Sequence, residues 1–330
     1  MLPRSSLLLL ASLLAVVHSQ GPPQDCSSLP KDAFVPHTLR NSRGRELHGL
    51  SYGGVAQSVY VPRAGGGGGG PPLDVLLGFD DPMWYCTGGP MDQHPYFGAL
   101  IGRVANRIAR CKFTLDGTVY TPPCNEFQPA TGLNDTLHGG TIGYDRRVWN
   151  ITDRTPTKLV LELDSPDGEM GFPSSLHLTV TYQVTEPPQG SPPEELGAWD
   201  IQYAIVNTGT LPTPAAPTNH AYFMLSGFDG EETVLGHTLA MKNATQFEVV
   251  DKGLIPTGAL VDVTKEERWM DFTAPKVLGK DFPLPSGASG YDNAWIFANY
   301  DGAFLPQADI TSPISYIRIL TFTDAPSVQM

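Results

Sequence analysis

The stretch SLHLTVTYQV, residues 175–184, puts Leu176, Leu178, Val180 and Tyr182 at every second position with polar residues between them. A period of two turns alternate side chains to opposite faces, so such a run is a strand with one face in a core and one in solvent. Comparable runs recur along the chain, as AQSVYVP, LDVLLGF, KFTLDG, TVYTP, KLVLELD, AWDIQYAIVN, AYFMLSG, HTLAMKN, QFEVVD and ISYIRILTFT. No run carries a sustained helical stripe and no long internal repeat stands out; GALIGRVANRIA, residues 98–109, reads either as a short helix or as strand and loop. With 35 Gly and 31 Pro in 330 residues, turns are frequent enough to join many short strands. The expectation is an all-β fold, a large antiparallel β-sandwich of two packed sheets.

The amino terminus sets the compartment. Arg4 precedes a short apolar run, Leu7 to Val17, with the small Ala15 near its end and the polar Ser19 and Gln20 after it. That is the pattern of a secretory signal, residues 1–19, and the run is too short to span a membrane. Residues 20–45 read as a polar lead-in and 46–330 as one domain, with AGGGGGGPP (64–72) and TEPPQGSPPEE (185–195) as surface loops within it. Secretion makes disulfides the expected use of Cys26, Cys86, Cys111 and Cys124, none of which has the CxxC spacing of a zinc or redox site. In CKFTLDGTVYTPPC the Asp116-Gly117 pair is a two-residue hairpin turn that folds Cys111 back on Cys124, which leaves Cys26 for Cys86. Sequons at Asn134, Asn150 and Asn243 fit the same route. A net charge of −13 argues against nucleic acid or an anionic membrane surface as partner.

Four clusters hold the candidate chemistry: GRVANR (102–107), LHGG (137–140), TNHAYF (218–223) and SGYDNAW (289–295). Taken singly, His138 and His220 read as hydrogen-bonded structural histidines, Arg107 as a solvated side chain and Asp292 as a turn residue. Together they combine two groups that titrate near neutrality with an arginine, a carboxylate and the aromatics Tyr222, Phe223, Tyr291 and Trp295. Aromatic faces stack on the C–H face of a sugar ring while polar groups satisfy its hydroxyls, so the set suits a saccharide pocket capable of proton transfer. The two glycines after His138 are expected to clear space for a ligand to approach the imidazole. No HxH or HExxH spacing supports a metal site.

In this order, FGALIGRVANRIA, F.LDG..Y, TLHGG..GYD...W, TNHAYF.L.G and GYDN resemble the motifs of the aldose 1-epimerase (galactose mutarotase) family, from about residue 50 onward. The resemblance implies a galactose mutarotase-like supersandwich with an open saccharide cleft, no metal or organic cofactor, and a small aldose such as glucose or galactose as partner. The expected protein is a secreted monomer that interconverts α and β anomers. By the same resemblance His220 is the acid that protonates the ring oxygen, and His138 binds and polarises that side of the sugar. Asn106, Arg107 and Asp292 hold hydroxyls. The family's base is a glutamate that follows a late strand; no residue of this sequence matches it, and Ser327-Val328-Gln329 corresponds to the strand just before it. The expectation is therefore of a chain cut short at its C-terminus. The alternative reading is a catalytically impaired, secreted sugar-binding protein lacking the base. Met224, where many relatives carry Asn, and the poly-Gly loop are further departures.

Overall fold

The computed structural model describes residues 25–330 apart from 64–69, 92–93, 229–232, 289 and 299. The signal read at 1–19, the start of the lead-in and most of the Gly run lie outside the described residues. Up to Phe223 the described chain forms one compact unit, and Met224–Met330 forms a second.

The first unit opens with β1 (His37–Arg40), β2 (Glu46–Gly49), β3 (Ala56–Val61) and β4 (Leu73–Asp74), an antiparallel meander in that order. The 98–109 stretch resolves as strand and loop. β5 (Leu100–Ile101) and β6 (Arg107–Ile108) flank a loop whose buried Arg103 is tied to the carbonyls of Pro173, Ser174 and Ser165. β7 (Phe113–Leu115) and β8 (Thr118–Tyr120) pair around the expected turn, with φ of +48° at Asp116 and +79° at Gly117. Positive φ at both central residues matches the turn to the natural twist of a hairpin. β9 (Glu126–Gln128) and β10 (Leu133–Leu137) join β6 in a small antiparallel sheet ordered β6-β10-β9.

β11 (Asn150–Arg154), β12 (Lys158–Ser165), β13 (Leu176–Val184) and β14 (Trp199–Asn207) form the longest meander. On β13 every second residue from Leu176 to Val184 is buried, as the alternation requires. On the same face Leu159 sits opposite Tyr182, Leu161 opposite Val180 and Leu163 opposite Leu178. Each such side chain contributes roughly 1.5–3 kcal/mol when removed from water, so this face fixes the register. Gly49 of β2 lies so close to it that a Cβ there would come within 3.0 Å of Leu159, so the first meander packs against this one at that point. β15 (Thr218–Asn219) pairs with β5.

One expected strand, AYFMLSG (221–227), does not form. Phe223 makes a lone bridge to Leu76 and the chain then turns at Met224, whose carbonyl accepts the Gly227 N–H. The segment changes partner from β5 to the stretch after β4 within a few residues, leaving no room for a ladder. A second apolar cluster of this unit surrounds Tyr52, Phe79, Phe97 and Ile101, with Cys86 at its edge. Both disulfides form as expected, Cys26–Cys86 and Cys111–Cys124, with Cα atoms 6.0 and 5.3 Å apart.

The second unit contains β16 (Thr238–Ala240), β17 (Ala244–Val250), β18 (Pro256–Asp262), β19 (Lys276–Val277), β20 (Ala294–Phe297), β21 (Leu305–Thr311), β22 (Arg318–Thr323) and β23 (Ser327–Gln329). They make two antiparallel sheets, ordered β19-β16-β21-β22 and β18-β17-β20-β23. Trp295, Phe272, Met270 and Met241 are the centre of its core. Of the sequons, Asn134 and Asn150 are exposed, whereas the Asn243 amide is half-buried and donates to Gln307 Oε1 at 3.2 Å.

Candidate active site

Four of the five candidate side chains gather in the first unit, each placed by a short strand. β6 carries Arg107 opposite Leu137 of β10, so His138, the next residue, emerges at the strand end beside Asn106. The two residues are tied twice: the His138 N–H donates to the Asn106 carbonyl at 3.2 Å, and the Asn106 N–H donates to His138 Nδ1 at 3.0 Å. A peptide N–H can only donate, so Nδ1 must hold its lone pair toward it, and the proton of the imidazole resides on Nε2. Both residues reach this arrangement in the left-handed region, φ +64° at Asn106 and +53° at His138, where asparagine and histidine are better tolerated than most residues.

Arg107 is held from two sides. Asn106 Oδ1 accepts its backbone N–H at 3.0 Å, and Glu126 of β9 takes its guanidinium through two bonds, Nε to Oε2 at 2.8 Å and Nη2 to Oε1 at 2.9 Å. The Glu126 side chain is fully buried. A buried carboxylate requires such a partner, because unpaired it forfeits its hydration with nothing in return. Glu126 is a member of the site that the motifs did not disclose. Its signal was present only as a charged residue in an otherwise neutral stretch, NEFQP.

His220 follows β15. Its N–H donates to the Ala99 carbonyl and its own carbonyl accepts the Gly98 N–H, both at 2.9 Å, which locks the backbone beneath the ring. Asn219 before it bonds the Gly98 carbonyl and the Tyr182 hydroxyl, anchoring the motif to β13. The two imidazoles meet edge to face, with centroids 5.1 Å apart and planes at 84°. Tyr222 stands against His220 at 5.0 Å, and Tyr96 touches both histidines, at 4.7 Å from His138 and 5.8 Å from His220. Tyr96 too was missed by the sequence reading.

Asp292 belongs to the second unit, just before β20, exposed, with its Oδ1 accepting from Gln329 Nε2 of β23 at 2.8 Å. The glycines after His138 serve a purpose other than the expected one. A Cβ on Gly139 would lie 1.9 Å from the Gly102 carbonyl oxygen, and one on Gly140 would lie 3.2 Å from Pro123. Their φ values of +91° and +102° are in the region glycine tolerates. The space they vacate is taken by the protein itself: the GRVANR and LHGG loops touch through Gly102 and Gly139.

Comparison with known proteins identifies the family of the chain. The family model described as aldose 1-epimerase matches residues 37–330. Aldose 1-epimerase of Escherichia coli K12 is 32% identical over 299 residues, which cover 88% of this chain and 76% of that protein. Galactose mutarotase of Sus scrofa is 37% identical over 211 residues, 63% of this chain and 52% of its own, so that match spans about half of the pig protein. Among solved structures, the aldose epimerase homologue from C. elegans superposes with a TM-score of 0.70 at 26% identity, covering 89% of this chain and 81% of that one. Galactose 1-epimerase from Lactobacillus acidophilus, at 23% identity and a TM-score of 0.67, covers 89% and 77% and shares the fold.

Proposed function

Because the chain belongs to the aldose 1-epimerase family, with the galactose mutarotase-like all-β fold of its relatives, we propose that it interconverts the α and β anomers of a free hexose by acid–base ring opening. The observation that carries this reading is the facing pair of imidazoles, one of which has its tautomer fixed by a peptide N–H. Ring opening needs a proton delivered to the ring oxygen while the anomeric hydroxyl loses one. The C1–O5 bond then breaks, the aldehyde carbon turns, and the reverse transfers close the ring on its other face.

In this scheme His138, neutral and protonated at Nε2, is a hydrogen-bond donor to the sugar on the ring-oxygen side. His220, whose backbone is locked beneath the ring by its bonds to Ala99 and Gly98, is the proton donor to that oxygen. Arg107, braced by Glu126, and Asn106 beside it satisfy sugar hydroxyls. Tyr222, exposed against His220, offers an aromatic surface for the sugar's C–H face. The acceptor for the anomeric proton is, by resemblance, a glutamate that no residue of this sequence matches. The signal read at residues 1–19 and the two disulfides support a secreted protein.

Polarimetry on freshly dissolved α-D-glucose and α-D-galactose tests the proposal. Approach to the equilibrium rotation should exceed the buffer rate, and His220→Ala should reduce the excess by about 10²–10⁴-fold. Folded protein that leaves the buffer rate unchanged for both sugars would refute the reading.

A further inference from the structure

Beside the two histidines lie residues that the proposed chemistry does not use. Tyr96 meets His138 edge to face, at 4.7 Å and 77°, and lies nearly parallel to His220, at 5.8 Å and 31°. Its backbone is in the left-handed region, φ +60°, with its carbonyl accepting the Ala99 N–H at 3.1 Å, so the ring is set by a tight turn rather than by a strand. Tyr96 also lines a cavity with room for about one water molecule, shared with His94, Phe79, Val55 and Asp145. Asp145 is buried at 8% exposure and has the Arg146 guanidinium 3.8 Å away, a long and imperfect pairing. Burial pushes its carboxyl up to about 6 against the pull of Arg146. The Tyr96 hydroxyl is in turn held well above its usual range, first by burial and next by the Asp145 charge.

We propose that Tyr96 and Asp145 form a positioning pair: the Tyr96 ring holds the two imidazoles at their mutual angle, and the Asp145 carboxylate, on the cavity that Tyr96 lines, keeps negative potential on His220, favouring its proton-donating form. The inference rests on the reading of His220 as the acid. Arg146 opposes Asp145 from the adjacent position, and Tyr52 shares the field of both. Arg107 and Glu126 act on Tyr96 with opposite signs and less strongly. His94 faces the same cavity, and Tyr222 and His138 complete the surroundings of His220. Asp145 is the negative group in that set that shares a cavity wall with Tyr96.

The test uses the full chain and three variants, Tyr96→Phe, Tyr96→Leu and Asp145→Asn, with folding checked by circular dichroism. Imidazole titration is followed by ¹H–¹⁵N NMR and mutarotation by polarimetry across pH. Asp145→Asn should lower the His220 titration midpoint by about one pH unit and move the alkaline limb of the rate profile down with it. Tyr96→Phe, which keeps the ring and removes only the hydroxyl, should retain the plateau rate within about threefold. Tyr96→Leu should lose about 10–100-fold in kcat with KM changed by less than about threefold, since orientation rather than binding is removed. His220 midpoints unmoved in Asp145→Asn, or a Tyr96→Leu rate within twofold of the parent, would overturn the inference. Should Asp145→Asn not fold, the Tyr96 variants decide the matter. Because NMR reads the imidazoles without turnover, a protein that fails to mutarotate would sink the function and still report on this coupling.

Discussion

Glu126 shows how a single side chain can matter without belonging to any motif. Fully buried, it has the Arg107 guanidinium as its counter-charge, and removing one partner of a buried pair strands the other. Glu126→Ala should therefore cost about 3–5 kcal/mol in urea denaturation and raise KM, with Arg107 no longer held in place. Asp145 predicts an unusual pH dependence. Its folded value of about 6 lies above the 3.8 of the unfolded chain, so the folded state binds the proton more tightly. Its contribution to stability is thus fully present below pH 3.8 and lost as pH rises to about 6, opposite in sign to a salt-bridged carboxylate. Denaturation midpoints of the parent and Asp145→Asn between pH 4 and 7 should diverge in that direction, by an amount on the order of 2–3 kcal/mol. At this scale the sequence revealed residue types well and environments poorly. His138, His220, Asn106 and Arg107 stood out by their neighbours, whereas Asp145 acquires its meaning from burial, and Glu126 and Tyr96 from partners that lie elsewhere in the chain.

Elements were legible where a local rule decides them. The β13 alternation and the Asp116-Gly117 hairpin needed nothing beyond their own residues, because side-chain period and turn conformation are local properties. The two-residue strands β5, β6 and β15 were not legible, since so short a ladder exists only by virtue of its partner. AYFMLSG failed for the converse reason: its composition favours a strand, but its neighbours change after each pair of residues. The LHGG loop illustrates a wrong mechanism attached to a correct position. Its glycines do mark a close approach, and the approaching group is the Gly102 carbonyl. Gly139→Ala should accordingly destabilise the fold by about 2–4 kcal/mol, combining a forced φ with a backbone clash. Thermal unfolding would show it, and His138 should lose its place in the same variant, seen as a lost mutarotation excess in protein that still folds.

For the molecule as a whole, the covalent links and the compartment belong together. Cys26–Cys86 spans 60 positions and Cys111–Cys124 spans 13, so the chain-entropy estimate gives about 4 and about 3 kcal/mol of stabilisation respectively. Serine pairs at each bridge should lower stability in that order, the longer loop costing more. Expressed through a secretory route, the protein should carry glycans at the exposed Asn134 and Asn150, and peptide mass mapping should find Asn243, whose amide is engaged by Gln307, unmodified. The tie between Asn106 and His138 has a consequence for how such a chain can diverge. The contact that fixes which imidazole nitrogen holds the proton is made by main chain, and every residue type except proline presents that same N–H. Drift at position 106 is confined to residues that tolerate a left-handed backbone, but among those it can exchange the side chain offered to a ligand while the backbone donor to the histidine persists. The proposed division of labour between the two histidines is then inherited with the loop's path, while the side chain at 106 varies on top of it.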